Sequence, residues 1–78
     1  MSVKSLRAIE NIKIIGNKYF SENFDLQIID ISAATNLASQ YQIIAVPTLI
    51  RLEPLPLRTI IGDLSDTAKV LKILEIYE

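Results

Sequence analysis

Residues 46–61 read VPTLIRLEPLPLRTII, two short apolar runs that flank the segment EPLP. Aliphatic and β-branched side chains in both runs favour strands, and the two prolines between them stiffen a turn. Pro47 stands near the start of the first run, where a residue that cannot donate a ladder hydrogen bond is tolerated. The pattern predicts a β-hairpin over residues 46–61, and Gly62 ends it.

An amphipathic helix is predicted over residues 4–20. Apolar positions recur there at intervals of three and four residues; Leu6 lies beside a stripe of Ile9, Ile12, Gly16, Tyr19 and Phe20. The basic side chains face mostly elsewhere and are interpreted as solvated: Lys4, Arg7, Lys13 and Lys18. A glycine inside a helix costs about 1 kcal/mol against Ala. At Gly16 we therefore expect either a close approach of another backbone or an early helix end.

A strand and a lightly anchored helix are predicted between this helix and the hairpin. A polar turn over 21–23 precedes residues 24–31, where apolar and polar residues alternate before the run becomes continuously apolar, as in a strand. Ser32 is placed to cap a helix over 33–41. That helix is rich in Ala, Asn and Gln and has few apolar side chains with which to pack.

After Gly62 the sequence predicts a last helix, with Asp63 as its N-cap and Asp66 at its third position. Its expected buried side consists of Ala68, Leu71, Ile73, Leu74 and Tyr77. Residues 70–77 contain enough β-branched and aromatic side chains to suit a strand as well. The order helix, strand, helix, strand, strand, helix predicts a single α/β domain over 1–78, thioredoxin-like but without the first strand of that pattern.

Composition excludes several classes of function. Eight basic and nine acidic residues give a net charge of −1, which leaves no basic excess for nucleic acid. No apolar run is long enough to span a bilayer. Without His or Cys, the chain lacks the usual general base, the thiolate nucleophile and the redox pair of thioredoxins. We expect no enzyme, no cofactor and no metal site, since the aspartates are scattered: Asp25, Asp30, Asp63 and Asp66.

Three segments carry a resemblance to a known family: Asp30-Ile31, Ala45-Val46-Pro47-Thr48-Leu49, and RTIIGDLSD at residues 58–66. Together they resemble the KaiB family of circadian-clock proteins, and the run IIGDLSD is the most specific part. The likeness needs no gap from Ser5 to Tyr77. It implies either a thioredoxin-like fold or the KaiB ground-state fold, in a cytoplasmic protein.

The resemblance also implies partners and a mechanism. KaiB proteins bind the ATPase ring of KaiC, sequester KaiA and displace the kinase SasA. They do so in a thioredoxin-like form that is normally the minor one, while the resting form assembles into dimers and tetramers. The mixed helix and strand character of residues 70–77 suits a chain with two packings of similar free energy.

Candidate site residues follow from the same resemblance. The surface offered to the partner corresponds to Asn36, Ser39, Gln40 and Tyr41, which would otherwise be a solvated face. Arg58 either meets acidic groups of a partner or caps a strand edge. The fold-switch hinge is placed at Pro47, Gly62 and Asp63, with Pro47 a candidate for a cis peptide in the switched form. Gly62→Ala is expected to bias the chain toward that form.

One departure from the family pattern concerns the amino terminus. The family has a strand and a glycine-proline turn before its first helix, whereas this sequence starts almost at the helix. The strand over 25–31 is then expected to lose its neighbour and expose unpaired backbone groups. A misassigned start, a truncation or a strand supplied by a partner chain would each explain this. The alternatives to a KaiB-type regulator are the sensor domain of a SasA-like kinase and an inactive, truncated oligomer.

Overall fold

The computed structural model describes residues 2–20 and 24–76; the predicted turn over 21–23 and the predicted core residue Tyr77 lie outside them. The elements are α1 (Val3–Tyr19), α2 (Thr35–Gln40), β1 (Thr48–Arg51), β2 (Arg58–Ile61) and α3 (Thr67–Ile73). The strands β1 and β2 pair in an antiparallel ladder, with Leu49 opposite Ile60 and Arg51 opposite Arg58. The hairpin and all three predicted helices are confirmed.

Helix α1 begins with a side-chain cap and buries one stripe of side chains. The Ser2 hydroxyl accepts the backbone N–H of Ser5 at 3.1 Å, which satisfies one of the free donors at the helix start. The predicted stripe is partly wrong, because Leu6 is half exposed and Ile15 is buried. The buried positions are Ser5, Ala8, Ile12, Ile15 and Gly16. The four basic residues of α1 are exposed, as predicted.

Gly16 is explained by an aromatic ring. A Cβ atom built at Gly16 would lie 2.6 Å from the Cζ atom of Phe24, closer than two carbon atoms can approach. The ring of Phe24 also packs edge-on against Phe20, with 5.4 Å between their centroids. A side chain therefore makes the close approach that was expected of a backbone. The helix continues to Tyr19 rather than ending early.

The strand predicted over residues 24–31 is wrong. Residues 24–30 adopt no regular secondary structure, and the described residues form a single two-stranded sheet. A strand needs a neighbour to accept its backbone hydrogen bonds, and this segment has none there. Ile28 and Ile29 are each about half exposed, so the apolar alternation is not used to bury one face.

The predicted cap of α2 is wrong for a local reason. The Oδ1 atom of Asp30 accepts both the N–H of Ser32 at 3.0 Å and its hydroxyl at 2.7 Å. This Asx turn occupies Ser32, so α2 starts after Ala34, which makes no side-chain cap. No residue of α2 is buried, which confirms that the helix is lightly anchored.

The start of α3 differs in the same way. The Asp63 carboxylate accepts the N–H of Ser65 at 3.0 Å, and Asp66 caps α3 by accepting the N–H of Lys69 at 3.1 Å. Asp63 is therefore not the N-cap, and Asp66 is not at the third helical position. Competition between a local side-chain turn and a helix cap is typical of aspartate.

The core lies between α1, β2 and α3. Its buried members are Ala8, Ile12, Ile15, Ile60, Leu64, Val70 and Leu74. In the predicted buried side of α3, Leu74 is confirmed, Leu71 and Ile73 are partly buried against the core, and Ala68 is exposed. Val70, which the sequence analysis did not include, is buried at 2% exposure.

Candidate functional site

The three predicted hinge residues lie at one end of the hairpin. The backbone N–H of Gly62 donates to the carbonyl of Pro47 at 3.0 Å, which extends the hairpin pairing by one residue. Gly62 has φ +116°, a conformation that side-chain-bearing residues rarely adopt. The Val46–Pro47 peptide bond is cis. Pro47, Gly62 and the adjacent Asp63 thus form one continuous structural unit.

This end of the hairpin is fastened to α1 by a residue that the sequence analysis missed. The Asn11 side chain donates through Nδ2 to the carbonyl of Asp63 at 2.8 Å. The next residue, Leu64, has φ +63° while its side chain is buried in the core. Left-handed backbone at a bulky residue is costly and persists only where surrounding packing enforces it. No sequence signal distinguishes Asn11 from other polar positions of α1.

The candidate partner-binding residues are gathered mainly on α2. Asn36, Ser39 and Gln40 are exposed and spaced as one face of a helix. Tyr41 follows as the C-cap residue and is half buried. These side chains are polar and uncharged, so they can exchange hydrogen bonds with a partner without the cost of burying a charge. The face is open to solvent in the described structure.

Arg58 lies away from the hinge residues, at the start of β2. Its Nη2 atom donates to the Glu75 carboxylate just after α3. Arg51, directly opposite on β1, donates through Nη1 to the Leu74 carbonyl at 2.5 Å and through Nη2 to the Pro56 carbonyl at 2.8 Å. Like charges face each other here, an arrangement that needs acceptors nearby. The predicted hairpin could have indicated Arg51, because it sets positions 51 and 58 opposite each other.

An open groove of about 1520 Å³ is lined by residues of α1, of the hairpin and of the segment over 24–32. Apolar side chains from all three walls line it, including Ile12, Leu26 and Leu49. Among the described residues, the edge of β1 away from β2 pairs with no other strand. Open strand edges and apolar surfaces of this kind favour association with other chains.

Asp63 and Asp30 lie on two different turns, and hydrogen bonds from a serine two residues later lower the pKa of each. The Ser65 side chain and amide, with smaller contributions from Lys4 and Arg7, hold the pKa of Asp63 below the ordinary value of 3.8. The Ser32 hydroxyl and amide lower the pKa of Asp30 in the same way. A hydrogen bond to the ionised carboxylate favours the charged form. Both turns are therefore stabilised when their aspartates are ionised.

Ser65→Ala is expected to raise the pKa of Asp63 toward 3.8 and to leave that of Asp30 unchanged, whereas Ser32→Ala should do the reverse. Because both pKa values are depressed in the folded chain, the stability they contribute is present above pH 3.8 and is lost as the pH falls through the folded values. Carboxyl-carbon NMR titration of the two variants measures both groups at once. An Asp63 titration unaltered by Ser65→Ala would show that the Ser65 hydroxyl does not stabilise the ionised carboxylate.

Over residues 2–20 and 24–76, no group of three acidic side chains is placed to hold a metal ion. The same part of the chain contains no helix with the length and apolar character that crossing a bilayer requires.

The fold and the site define a small α/β domain of the thioredoxin-like kind, with an uncharged polar helix exposed on its surface. The KaiB domain family model matches residues 1–76. The chain belongs to the KaiB family.

Individual relatives agree with this assignment. The circadian clock oscillator protein KaiB of Synechococcus elongatus is 45% identical over 67 residues, 86% of this chain and 66% of that protein. The corresponding protein of Gloeothece citriformis is 43% identical over 67 residues, covering 86% and 63%. The circadian clock protein KaiB3 of Synechocystis is 41% identical over 75 residues, covering 96% and 74%. The chain thus spans about two thirds of the length of the first two relatives.

Proposed function

We propose that this chain is a KaiB-type regulator that binds the ATPase ring of a KaiC-like protein and tunes a circadian or clock-derived system by changing fold. The observation that carries the proposal is the match of residues 1–76 to the KaiB domain. In this proposal the chain acts in the cytoplasm, makes no covalent change to its partner and offers it a docking surface. The thioredoxin-like arrangement is the form that binds the ring.

The docking surface in this proposal is the exposed face of α2. Asn36, Ser39 and Gln40 lie free of the core, so a partner can cover them without disturbing the packing beneath. The light anchoring of α2, in which no residue is buried, lets the helix adjust to that partner. Tyr41 supplies the aromatic group that interfaces commonly use. Arg58 is a secondary candidate, since it would have to exchange Glu75 for an acidic group of the partner.

The fold change in this proposal takes place at Pro47, Gly62 and Asp63. Two left-handed residues, Gly62 and Leu64, flank Asp63. Glycine adopts a positive φ without strain, whereas the left-handed backbone of Leu64 is strained, and strained backbone concentrates at segments that switch. Residues 70–76 follow the hinge and suit either a helix or a strand by sequence. The Pro47–Gly62 and Asn11–Asp63 hydrogen bonds are the contacts that a switch would have to break.

Self-association and a KaiA-like partner complete the proposal. A resting homodimer or homotetramer would cover apolar surface that the single chain leaves open, such as Ile44 at 85% exposure and Leu55 at 78%. Capture of a KaiA-like protein would follow binding to the ring. A net charge of −1 does not oppose the approach of second copies.

The direct experiment mixes the purified chain with a KaiC ring and ATP and follows it on a sizing column. We expect the chain to comigrate with the ring. Elution of the chain at its own volume in the presence of the ring and ATP would refute ring binding.

A triple variant on α2, Asn36→Ala, Ser39→Ala and Gln40→Ala, is expected to weaken ring binding about tenfold, because a few residues dominate an interface. The free chain should remain folded, since all three sites are exposed and Ala favours a helix. The matched control is Glu10→Ala, Lys13→Ala and Asn17→Ala on the exposed face of α1. Equal affinities for the two triple variants would exclude α2 as the docking surface.

A further inference from the structure

Helix α3 ends in a Schellman motif with an acidic residue where glycine is usual. The N–H of Glu75 donates to the Lys72 carbonyl at 3.2 Å, and the N–H of Ile76 donates to the Leu71 carbonyl at 2.9 Å. Glu75 has φ +59°, the left-handed conformation that disfavours residues with a Cβ atom. Some other interaction must favour the glutamate at this position.

Two arginines of the hairpin supply that interaction. Arg58 donates to the Glu75 carboxylate, and Arg51 donates to the Leu74 carbonyl, the C-cap residue of α3. Cations close to the carboxyl end of a helix are favourable because the free carbonyls there carry partial negative charge. Arg51 also donates to the Pro56 carbonyl in the loop. The two side chains thus join the end of α3 to the end of the hairpin.

Other features of Arg51, Arg58 and Glu75 lower the stability of the contact between α3 and the hairpin. The two arginines are directly opposed across the ladder, where like charges repel. Their Nε atoms are buried, and neither has a hydrogen-bond partner among the described residues, which is costly for a buried donor. The Arg58 and Glu75 side chains are 38% and 45% exposed, so salt screens their attraction. The hydrogen bonds that hold α3 on the hairpin are therefore opposed by the repulsion between the two arginines and by the cost of their unpaired Nε atoms.

We propose that Arg51, Arg58 and Glu75 form a clasp that sets how readily α3 leaves the hairpin, and that loss of the Arg58–Glu75 ion pair releases α3 before the rest of the domain opens. Release would uncover Ile60, which is only 6% exposed. It would also free Glu75 from its left-handed conformation. The role of the clasp in the fold change rests on the proposed function. Its role in holding α3 on the hairpin does not depend on that function.

The test is amide hydrogen exchange of the free chain. In wild type, the N–H of Val70 donates to the Asp66 carbonyl and that of Leu74 to the Val70 carbonyl, so both report on α3. Glu75→Gln and Arg58→Gln are each expected to speed exchange at these amides about two- to fivefold, the factor that corresponds to an exposed ion pair. Amides of α1 should keep their rates, and the double variant should exchange no faster than either single variant.

Two control variants and a salt series separate the clasp from a general loss of stability. Lys13→Gln removes an exposed charge on α1, away from the end of α3, and should leave α3 exchange unchanged. Glu75→Gly removes the ion pair together with the backbone strain, so the amides of α3 should exchange more slowly in this variant than in Glu75→Gln. In wild type, salt raised to about 1 M should speed exchange in α3 alone, since the Debye length is then about 3 Å.

The clasp would be overturned if the charge variants sped amide exchange equally in α1 and α3. It would also be overturned if the effects of the two single variants on α3 exchange were additive. If either variant fails to fold, the salt series on the wild-type chain decides the same question. No ring is present in these measurements. A chain that fails to bind the ring can therefore still show the clasp, and a chain without the clasp can still bind the ring.

Discussion

Replacing Ile15 with Ala is expected to lower the free energy of unfolding by about 2–5 kcal/mol, the range for deleting a buried isoleucine side chain. Ile15 is 3% exposed and belongs to the core that α1 shares with β2 and α3. Small domains have little stability to spare, so the variant should be partly or wholly unfolded at room temperature. Urea denaturation followed by circular dichroism measures the change.

The matched control is the neighbouring residue. Ile14 has the same side chain but is 63% exposed, so Ile14→Ala should change stability by no more than about 0.5 kcal/mol. Similar losses for both variants would mean that α1 presents a different face to the core. That result would also remove the basis for using the exposed face of α1 as a control surface for ring binding.

Gly62→Ala is expected to lower the free energy of unfolding by about 1–3 kcal/mol, because alanine is strained at positive φ. No atom lies within 4 Å of a Cβ built at Gly62, where φ is +116°. The effect therefore comes from backbone conformation alone and not from a clash. Thr67→Ala, at an exposed position, should change stability by no more than about 0.5 kcal/mol.

Sequence and structure predict opposite directions for this substitution. The family resemblance predicts that Gly62→Ala favours the switched form, whereas the positive φ of Gly62 in the thioredoxin-like arrangement predicts that Ala disfavours it. Ring binding by the variant should therefore be slower or weaker than that of wild type, measured by the same comigration. Faster or tighter binding would contradict a left-handed Gly62 in the bound form.

Local signals in the sequence were sufficient for the hairpin and for the existence of the helices. The prolines at 54 and 56 and the glycine at 62 punctuate the two strands, and both strands form where predicted. Residues 24–31 show where such signals fail. Their alternation suits a strand, yet strand formation depends on a ladder partner that periodicity cannot supply.

Sequence patterns predict less of the candidate site than of the fold. The exposed face of α2 could be predicted because Asn, Ser and Gln there have no core to enter. The contacts of Asn11 and Glu75 could not, since each joins positions distant in the chain, such as Asn11 and Asp63. Aspartate caps were misplaced because Asx turns at Asp30 and Asp63 compete with helix starts.

We propose above all that this KaiB-family chain docks on a KaiC-like ring through α2 while the hairpin and α3 keep the arrangement described. Hydrogen–deuterium exchange of the chain, alone and with the ring and ATP, tests it most directly. We predict slower exchange over 35–41 in the complex, with exchange over 48–51, 58–61 and 67–73 equal to that of the free chain or slower. Unchanged exchange over 35–41, or faster exchange in the hairpin and α3, would contradict it.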